Sequence, residues 1–398
     1  MMFYSMKGMA SMLHFKRSEF EDRITAARRL MRRDGLDGLL IFAQESHYYL
    51  TGFDTKGFVF FQCAVLTADD GPITLLTRRP DLEQARRTSI IEDIRLWYDA
   101  PGVDPTKELQ EILDEKGLKG GRIGIELRSF GLTGDNHERI RQRFDGYATL
   151  VDASQLVREL RLVKSEAEIA YVREAAELAD RSLEAMVNAA GPGVFEGKIA
   201  ADGIAAILEG GGDMPPSGPV LGSGDRALLV RSATGYRHLD DTDQLTIEHA
   251  GSYRHYCACL MRTITVGKAG DQHQSMFAAT RDAMAAMTDA ARTGNTIGQI
   301  DDAHRATFDA AGFEEARMSA CGYSLGASYS PSWMDVPPMI HSGNATRIEP
   351  GMILFLHAIL IDAPRNLAMS AGYTILTREE GQAPEVLSRL PLDELISR

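Results

Sequence analysis

Several features are scarce in this sequence of 398 residues, and each scarcity excludes a class of protein. Only four cysteines are present and none forms a CxxC pair, which is too few for a disulfide framework and favours the reducing cytoplasm. No segment reaches the roughly 18 uncharged apolar residues of a membrane-spanning helix, so we expect no membrane partner. Basic residues number 43 against 56 acidic ones, and the net charge of −13 disfavours nucleic acid as a partner.

The remaining composition is that of a globular protein. Hydrophobic residues make up 44% and charged residues 25%, which are average values for folded domains. A chain of this length has room for two domains. Because the pattern of the sequence changes near residue 157, we predict an N-terminal domain over 1–157 and a second domain over 158–398.

The first domain alternates helical and strand-like segments. Ser18 and Glu21 have the spacing of a capping box and predict the start of a helix, which Gly35 is expected to end. A further helix is expected at 107–116, and strands are expected at 38–42, 58–66, 73–76, 123–126 and 149–151. Such alternation predicts an α/β layer.

The second domain groups its helices and strands differently. Ser165 and Glu168 form a second capping box ahead of a long amphipathic helix. Helices are predicted at about 166–190, 196–209, 273–293 and 298–311, a loop at 210–224, a β-hairpin at 243–266, and strands at 353–360 and 369–376. Helices grouped with antiparallel strands predict an α+β domain.

The predicted hairpin concentrates side chains with chemical function. With the turn placed at Gly251, alternation along the return strand puts His255 and Cys259 on one face, and strand pairing brings Glu248 to that face. A carboxylate that faces imidazole and thiol groups is typical of a metal site or an acid–base site.

Glu248 itself lies among apolar residues of a strand that we expect to be buried. A buried glutamate is either paired with a cation, here Arg254 or Arg262, or functional. In the functional case, a raised pKa would let the carboxyl group pass protons, whereas the ionised form could attack an electrophilic carbon.

Five landmarks occur in order along the second domain: Glu248-x-x-Gly251, Cys259-x-x-Arg262-Thr263, Gly322-Tyr323-Ser324-Leu325-Gly326, Glu349-Pro350-Gly351-Met352 and Gly372-Tyr373-Thr374-Ile375-Leu376. Over about 14–385 the chain resembles the creatinase/prolidase/methionine-aminopeptidase superfamily. The resemblance implies an α/β N-terminal domain of the creatinase type, followed by an α+β catalytic domain with the pita-bread fold.

The peptidases of that superfamily bind two divalent metal ions through two aspartates, one histidine and two glutamates. The resemblance places the five ligand positions here on Glu248, Cys259, Tyr323, His357 and Gly372. Only Glu248 is a carboxylate, and a dinuclear site needs several carboxylates to balance about four positive charges. We therefore expect no metal cofactor.

Two branches of the superfamily, creatinase and ectoine hydrolase, are similar in having lost the metals. The ectoine hydrolase motifs resemble three segments here: Glu248-His249-Ala250-Gly251, Gly322-Tyr323-Ser324-Leu325-Gly326 and Pro331-Ser332-Trp333. This likeness implies a metal-independent hydrolase that cleaves a non-peptide C–N bond in a small zwitterionic compound, either ectoine-like or creatine-like.

The resemblance also implies roles for single residues. Glu248 would be the nucleophile or an acid–base group. His238 lies in the stretch that carries the catalytic histidine of creatinase, and His357 replaces a metal-binding glutamate, so either histidine would move protons. Tyr323 and Trp333 would bind the substrate.

Two further residues are expected to contact the substrate. His255 can reach the site from the return strand of the hairpin. In creatinase-like homodimers the first domain of one subunit covers the site of the other, and Phe61 lies in roughly the corresponding region. We therefore expect a homodimer.

Two other functions stay open. The first is a metal-dependent aminopeptidase, dipeptidase or lyase of the same superfamily, in which Glu248, His255, Cys259 and His357 would form one site that suits zinc. The second is a non-catalytic protein that holds a small solute or a protein partner without turnover.

Overall fold

The structure is a computed structural model that describes residues 12–231 and 234–398. The chain forms two units, which divide between Arg161 and Leu162, whereas the sequence predicted the division between 157 and 158. Among the described residues, every helix is too short or too polar to traverse a lipid bilayer.

The first unit is built on a six-stranded mixed sheet. Its strands are Gly38–Ile41 (β1), Cys63–Thr67 (β2), Thr74–Arg78 (β3), Asp93–Trp97 (β4), Arg122–Ile125 (β5) and Thr149–Asp152 (β6). They lie in the order β4-β3-β2-β1-β5-β6, with β2 antiparallel to both of its neighbours and all other pairs parallel. The sequence did not predict β4, because this half-exposed edge strand carries Asp93 and Arg95 in place of an apolar run.

Helices cover both faces of this sheet, which confirms the predicted α/β layer. They are Arg17–Arg33 (α1), Gln44–Thr51 (α2), Leu82–Thr88 (α3), Pro105–Glu115 (α4), Gly134–Arg143 (α5) and Leu156–Leu162 (α6). Leu39 and Leu66 belong to the core on one face, and Leu40 and Val65 to the core on the other. The capping box predicted at Ser18 is wrong, because α1 begins at Arg17 and its N-cap is Lys16, two residues before Ser18.

The second unit is built on one antiparallel sheet. Its strands are Val220–Ser223 (β7), Asp243–Tyr253 (β8), Tyr256–Val266 (β9), Gly322–Ser324 (β10), Ile353–Asp362 (β11), Leu367–Leu376 (β12) and Glu385–Val386 (β13). Six of them lie in the order β10-β11-β12-β9-β8-β7, and β13 pairs with β12. β7 and β10 were not predicted, because they are short and lie in segments rich in glycine.

Four helices pack on one face of this sheet, which confirms the predicted α+β class. They are Glu166–Ala189 (α7), Glu196–Glu209 (α8), Asp271–Ala290 (α9) and Ile297–Ala310 (α10). The capping box of Ser165 and Glu168 at the start of α7 is confirmed. Ile247 packs against α7 and α8, and Leu356 against α9 and α10. Since side chains alternate along a strand, Glu248 and His357 lie on the opposite face.

The turn of the β8–β9 hairpin is not at Gly251, as the sequence predicted. Tyr253 pairs with Tyr256, so Arg254 and His255 form the turn, and both have left-handed backbone conformations with φ of 52° and 66°. Gly251 instead allows the sheet to approach α7 closely. A Cβ atom at residue 251 would lie 2.1 Å from the carbonyl oxygen of Ala175.

Candidate active site

Three side chains form a hydrogen-bonded chain on the face of the second sheet opposite the helices. The hydroxyl of Tyr323 donates to Oε1 of Glu248 at 3.2 Å, and Nε1 of Trp333 donates to the same hydroxyl at 2.8 Å. Glu248 is on β8 and Tyr323 is on β10, four strands away in the sheet order. Contact across that distance requires a curved sheet, so this face is concave and can enclose a ligand.

The pKa of the Glu248 carboxyl group lies near neutral pH. Burial raises the pKa of Glu248 to about 7, although the hydrogen bond from Tyr323 and the positive charge of Arg231 act in the opposite direction. Burial also raises the pKa of Tyr323 well above its ordinary value, so the phenol stays protonated and remains a donor. A carboxyl group with such a pKa can act as a general acid or a general base near pH 7.

His357 lies beside these groups on β11. Its ring centroid is 5.9 Å from that of Tyr323 and 5.5 Å from that of Phe355. Burial lowers the pKa of His357 to about 4, so the imidazole is neutral at pH 7. A neutral imidazole has one nitrogen that can accept a proton.

A cavity of about 400 Å³ opens between these residues. Its polar lining includes Arg231, Glu248, Tyr323, Trp333 and His357. Its apolar lining includes Met318, Met334, Met339 and Ile359. The volume suits a small molecule, and the few polar groups on an otherwise apolar wall are typical of ligand sites.

The positions that the resemblance assigns to metal ligands lie together on this face. Glu248 pairs with Met261, Met261 with Gly372, and Gly372 with His357, so these residues form one row across four strands. A side chain at residue 372 has no room, because its Cβ atom would lie 2.8 Å from Cζ of Phe355 and 2.9 Å from the carbonyl oxygen of Leu356. The aromatic ring of Phe355 thus takes the space where a carboxylate from β12 would stand.

Cys259 does not compensate for the missing carboxylates. It is 1% exposed, and burial raises the pKa of its thiol well above the ordinary value, with the charge of Glu248 acting in the same direction. A thiol must lose its proton to bind a metal ion. The residues present, with one carboxylate, a protonated thiol, a phenol and an imidazole, do not fit a dinuclear metal site.

Of the residues predicted for the site, the structure brings together Glu248, His357, Tyr323 and Trp333, and it places two others elsewhere. His238 is exposed, and its ring lies 5.1 Å from that of Phe195, the N-cap residue of α8. His255 stacks on Tyr329 with a centroid distance of 4.3 Å, because the hairpin turn takes it out of the strand alternation. Neither histidine lines the cavity.

Phe61 lies in the core of the first unit. It is 4% exposed, its ring contacts that of Phe42, and its carbonyl oxygen accepts a hydrogen bond from Trp97. The exposed aromatic residue of this segment is Phe60, which is 47% exposed and lies against the guanidinium group of Arg78. The burial of Phe61 leaves its neighbour as the side chain available to a ligand or partner.

Arg231 was missed in the sequence. It is an exposed lining residue of the cavity, and its charge lowers the pKa of Glu248 and His357. It lies in an irregular segment that precedes β8, and an arginine in such a segment has no pattern that distinguishes it from an ordinary surface residue. The methionines of the apolar wall were missed for the same reason.

Comparison with known proteins identifies the chain at the level of family. Residues 170–379 match metallopeptidase family M24, and residues 23–163 match the creatinase/prolidase N-terminal domain. The chain is 27% identical to an ectoine hydrolase from Halomonas elongata over 85% of this chain and 88% of that protein. It is 26% identical to an uncharacterized hydrolase/peptidase from Sinorhizobium fredii over 91% of this chain and 94% of that protein.

Solved structures share the fold. A prolidase from Thermococcus sibiricus superposes with a TM-score of 0.86 at 20% identity over 95% of this chain and 99% of that chain. A Xaa-Pro dipeptidase from Bacillus anthracis superposes with a TM-score of 0.82 at 21% identity over 95% of this chain and 100% of that chain. The two-domain architecture expected from the sequence, a creatinase-type domain followed by a pita-bread domain, is confirmed. The chain therefore belongs to metallopeptidase family M24 and is a hydrolase of that family.

Proposed function

We propose that this protein is a metal-independent hydrolase of a non-peptide C–N bond in a small zwitterionic compound. The observation that carries the proposal is the half-buried carboxyl group of Glu248, which accepts a hydrogen bond from Tyr323 at a place where a metallopeptidase would need several carboxylates. Similarity to a protein named ectoine hydrolase supports the same class of reaction. A cyclic amidine or a guanidino acid would fit the proposal.

In the acid–base form of the mechanism, the two titratable groups divide the proton transfers. Neutral His357 takes a proton from water as the water oxygen attacks the carbon, and a C–O bond forms. Protonated Glu248 gives its proton to the departing nitrogen as the C–N bond breaks. Tyr323 donates a hydrogen bond to the carboxylate that results, and proton exchange with water then restores both groups.

In the nucleophilic form, ionised Glu248 attacks the carbon directly and water later releases the product. The pH dependence separates the two forms. If Glu248 acts as an acid, kcat/KM falls as pH rises through about 7, and if it acts as a nucleophile, kcat/KM rises through the same value.

The other lining residues support a zwitterionic substrate. Arg231 supplies a guanidinium group that can bind a carboxylate through two hydrogen bonds. Trp333 supplies an aromatic wall, which favours a cationic group such as an amidinium. A compound with both charges would therefore lie between Arg231 and Trp333, with its reacting carbon near Glu248.

Replacement of the carboxyl group tests the proposal. We expect Glu248→Gln to lower turnover of the responsive compound by at least about 100-fold, because an amide cannot transfer the proton or attack the carbon. The exposed Glu315→Gln is the matched control and should keep full activity. The screen should cover cyclic amidines, guanidino acids and N-acyl amino acids. Wild-type activity in Glu248→Gln would contradict the proposal.

A second candidate, a metal-dependent Xaa-Pro dipeptidase, is favoured by 23% identity to a protein of that name from Pyrococcus horikoshii. Elemental analysis and chelator treatment discriminate the two. We expect less than a stoichiometric amount of metal in folded protein, activity that resists chelators, and no hydrolysis of Xaa-Pro dipeptides with added manganese or cobalt. Stoichiometric metal whose removal abolishes activity would favour the dipeptidase.

A further inference from the structure

A second cavity, of about 490 Å³, lies on the helix-covered face of the second sheet, between α7 and residues 390–398. Arg262, on β9, is the lining residue that comes from the sheet. It is paired with Ile247, whose side chain packs against the helices, so both side chains point to that face. The apolar lining residues are Leu183, Val187, Leu390, Leu395 and Ile396. This cavity is therefore separate from the one that contains Glu248.

The guanidinium group of Arg262 is buried with an incomplete set of hydrogen bonds. The residue is only 3% exposed. Nη1 donates to the carbonyl oxygens of Met261 at 2.8 Å and Gly372 at 2.9 Å. Nη2 is buried and has no hydrogen-bond partner among residues 12–231 and 234–398. A buried donor without a partner costs free energy, and an acceptor supplied by a ligand would remove that cost.

The positive charge of Arg262 is also poorly balanced. Burial lowers the pKa of Arg262 to about 10, although the acidic groups of Tyr373 and Asp180 act in the opposite direction, so the side chain is still a cation at pH 7. The carboxylate of Asp180 is engaged elsewhere, because it accepts from the hydroxyl of Ser388 at 2.6 Å and from the amide of Arg389 at 2.7 Å. A buried cation is unfavourable unless an anion lies against it.

The exposed charges of the cavity lining limit the kind of anion that fits. Glu184, Asp393 and Glu394 are exposed acidic lining residues, and Arg398 is an exposed basic one. This excess of negative charge repels a polyanion more strongly than an ion with a single charge. The volume exceeds what an inorganic ion needs, and the apolar walls favour a ligand with an apolar body.

We propose that this cavity binds a small monocarboxylate with an apolar body. Its carboxylate lies against Arg262 and accepts a hydrogen bond from Nη2, the donor that the described chain leaves without a partner. Its apolar body packs on Leu183 and Val187 of α7 and on Leu390 of the opposite wall. The site shares no lining residue with the cavity at Glu248, so the inference is independent of the proposed function.

A matched pair of probes tests the site in the wild-type protein. Isocaproate and isocaproamide have the same shape, but only isocaproate is charged at pH 7. We expect isocaproate to raise the melting temperature as its concentration increases, because a ligand that binds only the folded state stabilises it. Isocaproamide should bind at least about 10-fold more weakly, which is the usual effect of losing a hydrogen bond to a charged group. Inorganic phosphate at equal ionic strength should give a smaller shift.

Variants locate the site. We expect Arg262→Gln to weaken isocaproate binding at least about 10-fold and to abolish the preference over the amide. Leu390→Trp keeps the charge but fills the cavity from a half-buried wall position, and it should also weaken binding. Two controls should bind isocaproate as the wild type does: Arg181→Gln, an exposed position on α7, and Arg231→Gln, which removes the guanidinium group of the cavity at Glu248.

Three results would overturn the proposal. They are equal affinity for isocaproate and isocaproamide, no thermal shift with isocaproate up to about 10 mM, and loss of binding in Arg231→Gln alone, which would place the ligand in the other cavity. A shift from phosphate as large as that from isocaproate would also contradict it, because the apolar walls would then contribute nothing. If Arg262→Gln fails to fold, the comparison of the two probes in the wild type and in Leu390→Trp decides.

Discussion

At the residue scale, Glu248 is half-buried and accepts a hydrogen bond from Tyr323 at 3.2 Å. The hydroxyl of Tyr323 is its hydrogen-bond donor, and Trp333 in turn fixes that hydroxyl. The alternative that Glu248 pairs with Arg262 is wrong, because Arg262 is opposite Ile247 in the strand register and its guanidinium group donates to the carbonyl oxygens of Met261 and Gly372. Partial burial of the ionised carboxylate of Glu248 therefore costs folding free energy.

The free-energy cost of burying the carboxylate of Glu248 depends on pH. The pKa of Glu248 rises from 4.5 to about 7 on folding, so its contribution to stability is present below pH 4.5 and is lost as pH rises through 7. The change corresponds to about 3 kcal/mol. We expect Glu248→Gln to melt at a higher temperature than the wild type at pH 8 and at a similar temperature at pH 4.5. Thermal unfolding at both values measures this, with Glu315→Gln as the control. A difference in melting temperature that does not change with pH would show that burial does not disfavour the ionised form of Glu248.

Gly372 has a steric role, because there is no room for a side chain at this position. Any side chain there meets the ring of Phe355 and the carbonyl oxygen of Leu356 at under 3.0 Å. We expect Gly372→Ala to lower the free energy of unfolding by about 1–3 kcal/mol, the usual effect of overpacking a core. Gly191→Ala adds its methyl group in open space and serves as the control. In denaturant unfolding, Phe355→Leu combined with Gly372→Ala should lose less stability than the sum of the single changes. Additive losses would argue against the contact with the ring.

At the element scale, the β8–β9 hairpin turns through two residues with left-handed conformations and no glycine. Asparagine tolerates this conformation better than arginine. We therefore expect Arg254→Asn to raise the free energy of unfolding by up to about 1 kcal/mol, whereas Arg254→Lys should leave it nearly unchanged. His255 is unsuitable for this change, because its ring stacks on Tyr329. A loss of stability in Arg254→Asn would mean that the side chain of Arg254 contributes more than its backbone conformation costs.

The elements that the sequence predicted well are those in which apolar residues recur with a clear helical or strand periodicity. Helix α8 was expected at 196–209 and occupies Glu196–Glu209, and the hairpin was expected at 243–266 and occupies Asp243–Val266. Short strands such as β7 and β10 carry too few residues to show alternation. The turn was misplaced because glycine is the usual residue of tight turns, whereas Gly251 serves close packing against α7.

The residues of the candidate site also differ in how well the sequence predicts them. Glu248 could be predicted because strand alternation and pairing fix the face it occupies, and His357 could be predicted because the resemblance places it at a metal-ligand position. His238 and His255 depended on the course of a loop and a turn, which no local pattern determines. The place of Arg231 in the cavity lining depends on how distant segments come together in the fold, which no local pattern determines.

At the scale of the whole molecule, the resemblance to creatinase-like proteins implies a homodimer, and we propose that state here. The sequence mass is 43.7 kDa, so light scattering in solution should give twice that value. Phe60 is the exposed aromatic residue of the segment expected to reach a partner, and Phe60→Ala should weaken pairing more than Tyr98→Ala, which removes another exposed aromatic side chain of the first unit. A concentration-independent monomer would contradict the proposal.

The packing of Phe355 over Gly372 also limits which mutations this chain can accept at residue 372. A mutation that placed a carboxylate at residue 372 would bring the new side chain against the ring and destabilise the fold, so selection would act against it. A mutation that shortened Phe355 first would open a void and gain nothing. Any path that adds a carboxylate at residue 372 thus passes through unfavourable intermediates whichever change comes first, so ordinary core packing opposes a metal-binding carboxylate at this position.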